Sequence, residues 1–168
     1  MTTEKLSAFD KTYGNLFNEQ HVPSKQVEQI CLRLINQHQD QVFGYIREIQ
    51  EALLKESEKP KNTEKRTDQY LDALNAFMAF KNSRDALFHF FMIDAYVSDH
   101  KISFQKALDK FNRSYKYSDA IKAQIINLHN GPTEAYMKSG ELVFEEYIDK
   151  FNLRDLIKYE DGSFTINV

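Results

Sequence analysis

The 168-residue chain has no tryptophan, one cysteine, three prolines and five glycines, and each shortage removes a class of structure. A single cysteine permits no internal disulfide, so stability has to come from a packed core. Cys31 sits among Ile30, Leu34 and Ile35 at helical spacing, which predicts a buried, inert thiol. With so few glycines and prolines, a sandwich or barrel of many short strands would lack its turns, and helices joined by polar loops are expected. No apolar run approaches the ~18 residues that a membrane helix needs. The opening residues, MTTEKLSAFDKTYG, are polar and carry no hydrophobic signal region, so a cytosolic protein without membrane contact is expected.

Charge of one sign is also lacking. With 22 basic and 25 acidic residues the formal charge is −3, so no global positive field draws the chain onto nucleic acid, and any RNA contact must be local. The five histidines, His21, His38, His89, His100 and His129, contain neither a His-x-x-x-His nor a Glu-x-x-His pair. Bundles with metal centres need such spacing to bring ligands onto one face, so neither a metal nor a cofactor is expected. Glycine-rich phosphate loops and a Gly-x-Ser-x-Gly elbow are missing as well. These absences argue against oxygen carriage, nucleotide-dependent chemistry and serine hydrolysis.

What is present is apolar residue at helical period. Apolar types make up 42% of the chain, with 13 Phe and 9 Tyr, enough for one domain with a core of its own. A first helix is expected from about Thr3 to Glu19. Pro23 and Ser24 then open a long helix reaching about Glu58, with Gln37 to Gln41 and Gly44 as places for a kink and His38 as a solvated residue. Lys55 to Arg66 reads as a solvated linker. From Thr67 or Asp68 to Val97 runs the most hydrophobic stretch, in which Leu71, Leu74, Phe77, Met78, Leu87, Phe88, Phe91, Met92 and Ala95 are expected to form one core-facing side. It is either one helix or two, parted at Asn82-Ser83, both of them cap formers.

Ser103 caps a shorter helix, Ser118 and Asp119 open another that ends at Asn130-Gly131-Pro132, and a last helix begins at Thr133-Glu134. At the end, Asp161-Gly162 between alternating residues is a two-residue hairpin signal. The expected fold is therefore all-α, a bundle of five to seven helices over residues 1–154. A short C-terminal β-hairpin, residues 155–168, is expected to pack on it, or to pair with another chain, through Ile157, Tyr159, Phe164 and Ile166.

One cluster in the central stretch looks chemical: Arg84-Asp85-Ala86-Leu87-Phe88-His89-Phe90-Phe91. It resembles the signature of the HEPN ribonuclease superfamily, an arginine, a polar residue, three variable residues and a histidine, with an aromatic two positions later. Arg84, Asp85, His89 and Phe91 take those places, although Asp85 stands where Asn is usual and Phe91 where antitoxin-regulated members carry Tyr. The resemblance implies a helical domain that cleaves or binds RNA without metal, acts as a homodimer and serves in toxin or phage-defence systems, with an antitoxin among its partners. Arg84 and His89 would be catalytic, Asp85 or Asn82 would orient them, and Asn82 and Phe91 would meet substrate.

Physically, a histidine moves protons at the 2'-hydroxyl while an arginine offsets phosphate charge. Five helical residues turn through about 140°, so the pair converges only if the arginine curls round or a second copy completes the site. The competing reading makes Arg84 an ion-paired residue and His89 a core-edge histidine. The chain is then a non-enzymatic adaptor or inhibitor that binds another protein through its aromatic face or its hairpin.

Overall fold

The computed structural model describes residues 22–59, 64–131, 144–160 and 163–167. Five helices and one hairpin are seen there: α1 (Ser24–Ser57), α2 (Glu64–His100), α3 (Phe104–Tyr115), α4 (Asp119–Asn130), α5 (144–150), β1 (Ile157–Glu160) and β2 (Ser163–Ile166). The expected helix over Thr3 to Glu19, the Thr133-Glu134 start and the Asp161-Gly162 turn lie outside the described residues.

Two long helices make the frame. In α1, Val27, Cys31, Leu34, Ile35, Val42, Ile46 and Ile49 repeat at three and four residues, so one stripe is buried along its whole length. Helix α2 runs antiparallel to it. Ser24 meets Asp99, Gln39 meets Asp85, Phe43 meets Lys81 and Tyr45 meets Phe77, each step along α1 being matched by a step back along α2. Pro23, not Ser24, is the cap residue of α1. An amide of the first turn that has no partner within the helix is satisfied from elsewhere: the Ser24 N–H donates to the Asp99 carboxylate at the far end of α2.

Helix α2 is continuous through Asn82 and Ser83. Both favour caps, yet a residue of moderate helix propensity costs only about 0.5 kcal/mol in a helix interior. Burial of Phe80, Ala86, Leu87 and Phe88 on either side outweighs that. The linker is shorter than its composition suggests. Helix α1 persists to Ser57 and α2 is under way at Glu64, and Arg66 bonds to the Tyr70 hydroxyl and the Asn167 carbonyl.

The core has two parts, one at each end of the frame. Val27 to Ile35 of α1 and Ala86 to Ile93 of α2 pack with Ala107, Leu108 and Phe111 of α3 and with Ile125 and Leu128 of α4. Ser103 and Ser118 cap α3 and α4 through side-chain oxygens, as their positions foretell. At the other end, Tyr45, Phe77, Phe80, Phe144 and Phe164 form an aromatic knot joining both long helices, α5 and β2. Ile157 pairs with Ile166 and Tyr159 with Phe164 across the hairpin. Ile157 and Phe164 are buried, so the two strands borrow their stability from the bundle.

Candidate functional site

Continuity of α2 decides the geometry of the Arg84 and His89 pair. On an unbroken helix their side chains point about 140° apart, and each enters a different packing.

Arg84 is 3% exposed and lies on the side facing α1. Its guanidinium carbon is 5.7 Å from the centre of the Phe80 ring, which also meets His38 edge-on at 4.9 Å. His38 is therefore an interior residue and not a solvated one. Burial, together with the charges of Arg84 and Lys81, lowers its pKa to about 3. Beside it, the Asp85 carboxylate accepts from Gln39 Nε2 at 3.0 Å and from Lys81 Nζ at 3.1 Å. Burial raises the Asp85 pKa against the opposing pull of Lys81. Two buried atoms in this belt, Asp85 Oδ1 and His38 Nε2, make no hydrogen bond within the protein. Ser83 is buried, and Asn82 is half-buried.

His89 turns instead toward the connection between α3 and α4. Lys116 caps α3 in the left-handed region, with φ 52°, and this reversal carries Tyr117 back over α2. The Tyr117 hydroxyl and His89 Nδ1 share a hydrogen bond of 2.9 Å, and the rings of Tyr115 and Tyr117 both meet the imidazole edge-on. Tyr115 in turn donates to Glu28 on α1 at 2.7 Å. His89 is 9% exposed, and burial lowers its pKa to about 4, so the ring is neutral near pH 7. Phe90 is buried, while Phe91 packs half-buried against the core that α3 and α4 share with the two long helices.

Arg84 and Asp85 thus belong to a belt with His38, Gln39 and Lys81, while His89 belongs to a second cluster with Glu28, Tyr115 and Tyr117. His38 was findable from sequence, because it continues the stripe of Cys31, Leu34, Val42 and Ile46. The tyrosines were not, since only the turn at Lys116 brings them to α2.

Among the described residues, no three His, Cys, Asp or Glu side chains gather as a metal site requires, and no helix is long and apolar enough to cross a membrane. A pocket of about 350 Å³ opens between Glu48, Lys55, Glu56, Lys59 and Tyr70, at the opposite end of the frame from His89. Burial of the Cys31 thiol pushes its pKa up to about 12.

The most conspicuous surface feature is apolar. Phe43 is 41% exposed, Leu54 62%, Leu71 45% and Met78 39%. Phe43 and Leu54 are eleven residues apart, about three turns, and Leu71 and Met78 are seven apart, about two turns, so each pair shares one side of its helix. Met78 and Lys81 are three residues apart on one face, and the Lys81 ammonium lies 5.6 Å from the centre of the Phe43 ring. Both pairs therefore occupy the same side of the α1–α2 hairpin. The apolar residues of α2 do not form a single core-facing side: α1, α3, α4 and the aromatic knot bury several faces, and among the described residues nothing covers the side bearing Leu71 and Met78.

No protein-family model, curated protein or solved structure matches this chain.

Proposed function

We propose that the chain is a non-enzymatic helical interaction protein that binds another protein through the open face of the α1–α2 hairpin. The observation that carries this reading is the grouping of Phe43, Leu54, Leu71 and Met78 on one side of two packed helices. Large apolar side chains gathered on a surface mark contact sites, whereas scattered ones need no explanation. The separate placement of Arg84 and His89 adds support. Metal-free cleavage of RNA needs a guanidinium and an imidazole at a common phosphate. Here the first is held between α1 and Phe80, and the second under Tyr117. Their work is structural, fixing α1 and the α3–α4 connection onto α2.

Two measurements test this. RNA incubated with wild type and with His89→Ala in EDTA is expected to survive equally, while His89→Ala unfolds at lower temperature. Cleavage by wild type that disappears in His89→Ala would overturn the reading in favour of the ribonuclease resemblance. Affinity capture with wild type and with the double variant Phe43→Glu/Leu54→Glu is expected to show a partner that only wild type retains. A partner held equally by both places binding on another surface.

A further inference from the structure

The four exposed apolar side chains are arranged about a single point. The middle of the interval from Phe43 to Leu54 falls beside Ile49, and the middle of that from Leu71 to Met78 falls beside Asn75. Moving ten residues on from the Gln39–Asp85 pair, forward along α1 and back along α2, brings Ile49 level with Asn75. Both intervals are therefore centred at one height in the hairpin. An arrangement of that kind is self-complementary. A two-fold axis lying across the helices at this height, in the plane of the open face, carries Phe43 onto Leu54 of a second copy and Leu71 onto the second copy's Met78, twice each.

From this placement, resting on the interaction reading above, we infer that the partner is a second copy of this chain, joined face to face as an antiparallel four-helix assembly of two hairpins.

Charge follows the same symmetry. Arg47 and Glu51 are both exposed on α1 between Phe43 and Leu54, and they stand nearly equidistant from the axis. The operation that seats Phe43 on Leu54 brings each Arg47 against the other copy's Glu51. Two ion pairs then lie close to the axis, between the two outer contacts of Phe43 with Leu54, and fix the register of the copies. A closed two-fold contact buries the face completely and leaves no site for further growth, so a dimer and not a polymer results. The strip between Phe43 and Leu54 is only ~16 Å long, small for a specific interface, which sets the expected dissociation constant in the micromolar range.

Sedimentation equilibrium of the full chain, from about 1 to 200 µM so as to bracket that range, is expected to show a reversible monomer–dimer equilibrium above the 19.8 kDa monomer mass. Leu54→Glu, at a position already in water, is expected to weaken association about 30-fold or more with unchanged helicity. Arg47→Glu is expected to weaken it, and Arg47→Glu/Glu51→Arg to restore it, because the pair is exchanged across the axis. Oxidation of an equimolar mixture of Phe43→Cys and Leu54→Cys chains is expected to give a crossed dimer, with little product from Phe43→Cys alone.

A chain that stays monomeric over the whole range overturns the inference. If Leu54→Cys in that monomer is also closed to a thiol reagent, the face is covered by the chain's own residues outside those described, and the inference falls equally. Dimers indifferent to Leu54→Glu overturn it too. Monomeric behaviour leaves the non-enzymatic reading standing, whereas RNA cleavage that depends on His89 removes that reading whatever the mass.

Discussion

Tyr117 lies on a loop and His89 in the middle of α2, and the 2.9 Å hydrogen bond between the hydroxyl and Nδ1 fastens one to the other. The Tyr117 backbone N–H also donates to the Asn112 side chain at 3.1 Å, so the loop is held on both sides of its left-handed turn. Tyr117→Phe leaves an imidazole nitrogen without its partner in a nearly closed site, a loss of about 1–2 kcal/mol. His89→Ala removes the ring packing of Tyr115 and Tyr117 as well, and about 2–4 kcal/mol is expected. Urea unfolding of the two variants checks the order. A Tyr117→Phe protein as stable as wild type would show that the hydrogen bond contributes nothing.

Acid acts through the buried histidines. In the unfolded chain both titrate near 6.5, whereas in the fold burial holds His89 at about 4 and His38 at about 3. Between these values the unfolded chain binds protons that the folded chain refuses, so stability is complete above about pH 6.5 and declines as pH falls toward 4. Asp85 and Asp94, raised by burial, act with the opposite sign: they favour the fold when protonated and offset part of the loss near the carboxylate range. The melting temperature is expected to drop between pH 7 and pH 5. Replacing His38 and His89 by glutamine should flatten that dependence, and an undiminished slope in the double variant would place its origin elsewhere.

Much of this fold is legible as sequence and part of it is not, for identifiable reasons. The period of Val27 to Ile49, the cap at Ser103, the helix start at Ser118 and the C-terminal hairpin depend on local rules, and all are found as read. Continuity at Asn82-Ser83 depends on what α1 supplies opposite them, which spacing within α2 does not reveal. His38 looked solvated because its neighbours are polar, although its place in the stripe of Cys31 and Val42 was the better guide. Arg84 and His89 have ribonuclease-like spacing, but their surroundings are fixed by residues far along the chain: Tyr117, 28 positions from His89, and His38, which shares the Phe80 ring with Arg84. Exposure of Leu71 and Met78 was hidden for a related reason, since apolar character does not say which faces neighbouring elements leave uncovered.

Gly44 offers a stabilising change. It lies inside α1, where glycine is about 1 kcal/mol less favourable than alanine, and an added Cβ would meet nothing within 4 Å. Gly44→Ala is accordingly expected to stabilise the protein by about 0.5–1 kcal/mol, chiefly by restricting the unfolded chain. Thermal unfolding checks it. A destabilised variant would mean that α1 needs a flexible point there, as its polar middle first suggests.

The Asp85 belt sets a sharper test, because two opposing terms meet in it. Asp85 holds Lys81 and Gln39 at 3.1 and 3.0 Å, yet its Oδ1 makes no hydrogen bond within the protein and its pKa is raised by burial. Removing one member of such a group strands the others. Asp85→Ala leaves a mostly buried ammonium without its carboxylate and is expected to cost about 3 kcal/mol. Removing Asp85 together with both of its hydrogen-bonding partners has a different result, because the desolvation that penalises these three vanishes together with their bonds. The triple variant Gln39→Leu/Lys81→Met/Asp85→Leu is expected to match or exceed wild type, by up to a few kcal/mol. The test is whether the triple variant is more stable than Asp85→Ala alone in denaturant unfolding. A triple variant that loses more than the single one would show that the belt contributes net stability, and that the partnerless oxygen is satisfied in solution.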